Sequence, residues 1–265
     1  MYVRDIIRNM ISVYFSGTGN SKHCAEYLLQ RLDLNGTSCS IEDETAVYNI
    51  KNNDTIVFAY PVYYSCLPKI VKSFIVDNST IWKDKKIFIV ATMGLFSGDG
   101  AGCSARLFKK YGAEVLGGLH IKMPDCIGDV KVLKKSLEKN REIVTKANGK
   151  IDKAVKKIQL NKYPRNGLSF ACRLAGLFGQ RLYFRKKTKN YYSGIKADYS
   201  KCISCGLCVS VCPMQNIKLA ENKISFNDKC TMCYRCFSKC PEQAITVIGK
   251  KVYEQCSIEK YKFKE

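Results

Sequence analysis

Apolar residues in the first 125 positions fall into short continuous runs separated by stretches of helical period. Ile11 to Phe15, Asp54 to Tyr60 and Lys86 to Thr92 are mostly apolar on successive positions rather than alternating, which predicts strands covered on both faces. Thr37 to Ile41 is a weaker strand, and Glu114 to Met123 a fifth, stopped by Pro124. Between them Lys22 to Leu29, Leu67 to Val76 and Ser104 to Tyr111 repeat at helical spacing, and Val130 to Leu160 is a long lysine-rich helical pattern that would close the unit. Strand and helix in alternation predict an α/β unit, a five-stranded parallel sheet with helices on both faces.

Beyond residue 160 the pattern changes. Pro164 and Gly167 break it, and Leu168 to Phe184 is apolar and helical, with Phe170, Leu174, Leu177, Phe178 and Leu182 interleaved with Arg173, Arg181 and the run Arg185-Lys186-Lys187. Such a segment either docks two domains or lies as a basic amphipathic helix on an anionic membrane; docking is the preferred reading. No segment has the eighteen or so consecutive apolar residues that a membrane span requires.

The last quarter carries a cysteine pattern twice. Cys202, Cys205, Cys208 and Cys212 precede Pro213; Cys230, Cys233, Cys236 and Cys240 precede Pro241. This is the bacterial spacing that wraps two cubane iron-sulfur clusters, the fourth cysteine of each run serving the other cluster. The assignment is therefore Cys202, Cys205, Cys208 and Cys240 to one cluster, and Cys230, Cys233, Cys236 and Cys212 to its partner. The flanking residues Cys212-Pro213-Met214-Gln215-Asn216-Ile217 and Cys240-Pro241-Glu242-Gln243-Ala244-Ile245 mark an internal duplication. Zinc modules also pair C-x2-C units, but a zinc ion needs four ligands and does not call for this longer run. A disulfide framework is disfavoured because Met1 to Met10, with Arg4, Asp5 and Arg8, does not resemble a secretory leader.

At the other end, the first strand runs into Ser16-Gly17-Thr18-Gly19-Asn20-Ser21 and then into a helix. Glycines admit a phosphate close to backbone N–H groups, the hydroxyls of Ser16, Thr18 and Ser21 add donors, and the helix start adds its dipole. The loop lacks both the lysine of a triphosphate site and the spacing of a dinucleotide site, so a monophosphate fits it best.

Ser16 to Ser21 resembles the flavodoxin fingerprint. That resemblance implies a flavodoxin-like, doubly wound sheet binding FMN by its phosphate, with the flavin ring between two later loops. Pro61, Val62, Tyr63 and Tyr64 would form the first, and Met93, Gly94, Phe96 and Gly98 the second, each at the carboxyl end of a parallel strand. The chain as a whole resembles the flavodoxin-ferredoxin fusion proteins of anaerobes, which implies a second, smaller α+β domain with two [4Fe-4S] clusters and electron transfer between flavin and clusters. The expected division is residues 1–165 for the FMN domain, 166–191 for a basic connector, 192–250 for the cluster domain and 251–265 for a basic tail. Residues 1–9 and the tail from Lys250 read as extensions with no part in the fold.

Charge refines the partner. With 44 Lys and Arg against 23 Asp and Glu, the formal net charge of the 265-residue chain is +21, and two oxidised clusters and one FMN would leave about +15. An acidic redox protein is the expected partner, with an anionic membrane surface as a peripheral contact; nucleic acid is not expected, because no recognition motif accompanies the lysines. Positive potential also favours an anionic reduced flavin. The other seven cysteines, Cys24, Cys39, Cys66, Cys103, Cys126, Cys172 and Cys256, have no ligand spacing and suit a reducing cytoplasm. No nucleophile-base pair or opposed carboxylates stand out. The expected role is an electron carrier, with a flavin-dependent reductase of a small molecule as the alternative.

Overall fold

The computed structural model of the chain describes residues 10–32, 36–184, 191 and 193–262. The extension at residues 1–9 and the basic run at 185–187 lie outside them. Strand β1 (Met10–Tyr14) leads into helix α1 (Asn20–Arg31), then β2 (Ser38–Ser40), α2 (Ala46–Lys51), β3 (Thr55–Pro61), α3 (Lys69–Asp77), β4 (Lys86–Met93), α4 (Gly100–Lys110), β5 (Glu114–Lys122) and α5 (Leu137–Gln159). All strand pairs are parallel, in the order β2-β1-β3-β4-β5. The winding reverses between β1 and β3, the switch point outside which this topology opens a ligand crevice.

The continuous apolar runs are explained by burial from both sides. Ile56, Phe58 and Tyr60 of β3 face a core shared with Ile50, Val71, Ile75, Trp82 and Phe108. Val57 and Ala59 face the opposite core, with Cys24 and Leu28 of α1 and Val144, Ile151 and Ile158 of α5. Two helix boundaries differ from the sequence expectation. Helix α4 begins at Gly100 rather than Ser104, because Gly100 lacks the side chain that would strike Val62. Helix α5 begins at Leu137 rather than Val130, where the Ser136 side chain accepts from the Lys139 N–H at 3.2 Å and caps it. Of the residues released, 130–136, Lys131–Leu133 form a short 3-10 turn instead.

The connector is helical from α6 (Phe170–Gly176) through a π-turn at Leu177–Arg181. It packs on the sheet domain through Gly176, Gln180 and Arg181 and leaves Phe170, Leu174, Phe178 and Leu182 exposed. The small domain follows: β6 (Lys196–Ala197) pairs antiparallel with β9 (Ile245–Thr246), and β7 (Ile217–Ala220) with β8 (Lys223–Phe226). Two short helices, α7 (Leu207–Ser210) and α8 (Arg235–Lys239), each follow a left-handed residue. The duplication is visible in the backbone: Ser204 and Met232, Gly206 and Tyr234, and Gln215 and Gln243 have positive φ in pairs twenty-eight residues apart.

The terminal segment corrects the sequence reading. Cys256, Ile258 and Tyr261 are buried in the core that carries α1 and α5, and α9 (Ile258–Tyr261) closes it. The Ile258 N–H donates to the Thr18 carbonyl at 3.0 Å, and the Gln255 amide donates to the carbonyls of Phe237 and Cys240. A segment whose charge pattern reads as solvated tail is a clasp between the two domains, because its few apolar residues fall on one side of a short turn.

Candidate functional site

Loops from the carboxyl ends of β1, β3, β4 and β5 converge on a cavity of about 360 Å³, a size typical of small-molecule sites. Of the residues singled out by sequence, Ser16, Gly17, Thr18, Asn20, Ser21, Pro61, Val62, Tyr63, Tyr64, Met93, Gly94 and Phe96 line it. Gly19 and Gly98 do not. Gly19 turns the loop at φ 93 against Ile258, and Gly98 packs on Ser65 and Gly176 under the connector.

The phosphate-type loop is held from outside by its carbonyls. Ser16 O accepts from Arg235 Nη2 at 2.9 Å and Thr18 O from the Ile258 N–H. Among the described residues, no protein acceptor takes the N–H groups of Gly17, Thr18 or Gly19. Unmet donors beside a helix start are what an anionic group needs. One expected donor is committed elsewhere: the Ser21 hydroxyl shares a 2.7 Å hydrogen bond with Thr92. Asn20 donates to Pro124 O at 2.8 Å, tying the loop to the β5 end.

Sequence reasoning missed two walls. The first is Met123 to Ile127, with Val130 and Leu133. Asp125 accepts from the Ile127 N–H at 2.9 Å, and its burial raises its pKa above the usual carboxylate range. A strand end at Pro124, beside β4, was signal enough to place a fourth loop here. The second wall is Met232, Cys233, Tyr234 and Ile248 of the small domain. These are more than a hundred residues away, and no local pattern announces them. Phe184 and Tyr191 close the rim by flanking Tyr64, with ring centroids at 4.3 and 6.2 Å.

The domains meet at this wall. Arg235 reaches Glu42 with both terminal nitrogens at 2.7 Å and lies 5.9 Å over the Phe15 ring. Buried Asp129 accepts from Tyr234 Oη at 2.9 Å and, with its other oxygen, from the N–H groups of Val247, Ile248 and Gly249 at 2.7 to 2.9 Å. Cys233 itself belongs to the apolar cluster of the sheet domain.

The eight patterned cysteines gather in two groups. Cys202, Cys205, Cys208 and Cys240 surround one small cavity; Cys212, Cys230, Cys233 and Cys236 surround another. Among the described residues, no three Cys, His, Asp or Glu side chains close on a single-ion position. The N–H groups of Asn216, Met232 and Ala244 point at the sulfurs of Cys212, Cys230 and Cys240, each at 3.3 Å. Burial pushes the Cys233 thiol up to about 12, so thiolates there require a bound cationic core. Four sulfurs around a space, with amides aimed at them, fit a cluster.

A family model for a flavodoxin domain matches residues 11–118, and one for a 4Fe-4S dicluster domain matches residues 186–245. The chain carries a flavodoxin domain followed by a 4Fe-4S dicluster domain. The flavodoxin domain implies a flavin, FMN, and the dicluster domain implies 4Fe-4S clusters. Solved structures similar to the flavodoxin domain include two-electron reduced Megasphaera elsdenii flavodoxin, 23% identical over 56% of this chain and 98% of that one with a TM-score of 0.42. Oxidised flavodoxin 2 from Bacillus cereus is 15% identical over 58% of this chain and 99% of that one, with a TM-score of 0.43. No curated protein matched the chain. The two domains are of electron-transfer type, and among the described residues no helix is long and apolar enough to cross a membrane.

Proposed function

We propose that this protein is an intramolecular electron relay between one FMN and two [4Fe-4S] clusters, serving a partner oxidoreductase. Cys202, Cys205, Cys208 and Cys240 would hold one cluster, and Cys230, Cys233, Cys236 and Cys212 the other. Bound there, the clusters would carry single electrons and the flavin one or two, so that the chain converts between the two stoichiometries. The loop Ser16 to Ser21 would take the FMN phosphate through its free N–H groups. Val62, Tyr63 and Tyr64 on one side and Met93, Gly94 and Phe96 on the other would enclose the ring.

The observation that carries this reading is the shared wall: Met232, Cys233 and Tyr234, from the middle of the second cysteine run, line the same cavity as the phosphate-type loop. The second cluster is thereby adjacent to the flavin, and the first is reached through the exchanged Cys212 and Cys240. The contacts of Arg235 with Glu42 and of Asp129 with Tyr234, and the terminal clasp, support this spacing. The segment from residue 251 therefore works as part of the joint, with the flavodoxin unit ending near residue 165 and the cluster unit beginning near residue 192. An acidic redox protein fits the +21 charge, and a reducing cytoplasm fits the free cysteines.

Anaerobic purification with iron, sulfide and flavin assays tests the reading. About eight iron atoms and one FMN per chain are expected; zinc in place of iron, or iron without flavin, would overturn it.

A further inference from the structure

The internal duplication makes each cysteine group a control for the other. Corresponding residues are those paired in the positive-φ turns, Ser204 with Met232 and Gln215 with Gln243. In both halves the backbone treats the fourth cysteine alike: Asn216 N–H donates to Cys212 Sγ and Ala244 N–H to Cys240 Sγ, each at 3.3 Å. The side chains at corresponding positions differ. Ile203 and Ala244 line the first cavity, with Cys202, Cys205, Cys208 and Cys240. Thr231 and Asn216 take their places in the second, with Cys212, Cys230, Cys233 and Cys236.

Thr231 and Asn216 are 2% and 1% exposed. Among the described residues, Thr231 Oγ1 and Asn216 Nδ2 have no hydrogen-bond partner. The Asn216 amide is oriented by its other end, Oδ1 accepting the Lys229 N–H at 2.7 Å. A buried donor left without an acceptor costs about 1–3 kcal/mol. The cavity that both residues line is otherwise walled by cysteines and apolar groups, apart from Tyr234, whose hydroxyl is committed to Asp129. The acceptors within it are therefore sulfurs. Burial explains why donors are needed there: Cys233 and Cys236 are buried, whereas Cys205 and Ile203 are exposed, so water reaches the first group more freely. Reduction adds a negative charge to a cluster, which a dry site resists and hydrogen bonds to sulfur relieve.

We propose that Thr231 Oγ1 and Asn216 Nδ2 donate to the sulfurs of the second cluster and raise its reduction potential, in place of the water available to the first. Ile203 and Ala244 offer no such donors. Hydrogen bonds to sulfur strengthen as the sulfur gains charge, so the two side chains favour the reduced form over the oxidised one. Their effect is on where a single electron rests. When it passes between the clusters, the first is oxidised and the second reduced, and no bond or proton moves. The electron is thereby held beside Met232, Cys233 and Tyr234, the wall shared with the sheet domain. The inference rests on the cluster assignment above and not on flavin binding.

The test is an anaerobic redox titration of the full chain followed by electron paramagnetic resonance, with the first cluster as internal reference. Thr231→Val keeps the side chain's shape and removes its hydroxyl. It should lower the one-electron reduction equilibrium of the second cluster about tenfold, a shift of about 59 mV, and leave the first cluster unmoved. Thr231→Ser should restore the parent value. Asn216→Asp keeps the acceptor for the Lys229 N–H and loses the donor, so it should lower the second cluster at least as far. Ile203→Thr should move neither cluster, because an exposed hydroxyl finds water. An unmoved second cluster in both Thr231→Val and Asn216→Asp, or equal shifts in both clusters, would overturn the proposal. Loss of iron from Thr231→Val but not from Thr231→Ser would make the hydroxyl structural and overturn it as well. A parent protein without iron would instead defeat the cluster assignment.

Discussion

The carbonyl of Cys233 occupies the space that a side chain on Gly17 would need. The first turn of the phosphate-type loop and the middle cysteine of the second run are thus in direct contact, though 216 positions separate them in the chain. Any carbon added at residue 17 must displace either the loop or the cysteine, and both belong to redox sites in the relay proposed here.

Gly17→Ala should therefore lower the flavin content of the purified protein severalfold and perturb the second cluster's spectrum. Gly149→Ala is the matched control. Gly149 lies within α5 with nothing near the position of an added carbon, so cofactor content should be unchanged and stability should rise by about 0.5–1 kcal/mol. Flavin and iron assays with a thermal melt distinguish the two.

The exchanged fourth cysteines give a reciprocal prediction. Cys212→Ala should damage the cluster bounded by Cys230, Cys233 and Cys236, and Cys240→Ala the one bounded by Cys202, Cys205 and Cys208. Electron paramagnetic resonance of the reduced variants separates the clusters. Loss of only the earlier cluster in Cys212→Ala would show that the ligands are not exchanged.

The strands and the cysteine runs were legible because their signals are local. A continuous apolar run speaks for burial on both faces, and a thiolate spacing speaks for the inorganic core it must fit. What was not legible lay in contacts between distant segments. Ile258 and Tyr261 stand among lysines, and only the groove beside Gly19 and α5 turns them into core. Met232 and Tyr234 look like filler between ligands until the cavity wall is assembled around them. Ser21 reads as a phosphate donor by position, yet Thr92, 71 residues on, shares its hydroxyl.

The terminal clasp is testable by core truncation. Ile258 is 3% exposed and covers Gly19, so Ile258→Ala should cost about 2–4 kcal/mol and weaken flavin retention. Chemical denaturation under anaerobic conditions, with flavin release followed in parallel, checks both. A neutral substitution would return the segment to the status of a tail.

Arg235→Lys keeps the charge but loses the paired contact with Glu42 and the reach to Ser16 O. A loss of about 1–3 kcal/mol is expected, toward the low end because Glu42 is partly exposed. The effect should persist at high salt in the part due to the Ser16 carbonyl, which thermal melts at two ionic strengths would reveal.

His120 sets an acid limit. It is 7% exposed, lies 2.7 Å from Ser97 Oγ through Nδ1 and accepts the Ala101 N–H at Nε2. Burial, with Lys150 nearby, lowers its pKa to about 4. Its unfolded value is about 6.5, so the unfolded chain takes up the proton first. Stability present above about pH 6.5 is then lost as pH falls toward 4, by up to about 3 kcal/mol. His120→Gln should flatten the difference between melts at about pH 7 and about pH 5 relative to the parent protein.

The central claim is that flavin and clusters exchange electrons within one chain, across the wall shared by Gly17 and Cys233. Its most direct test is a rapid-kinetic measurement on the anaerobic holoprotein, in which a brief pulse of reductant delivers electrons to the clusters and flavin absorbance is followed. The relay predicts first-order flavin reduction at a rate independent of protein concentration. A rate that rises in proportion to concentration, or clusters that stay reduced beside an oxidised flavin of higher potential, would contradict it.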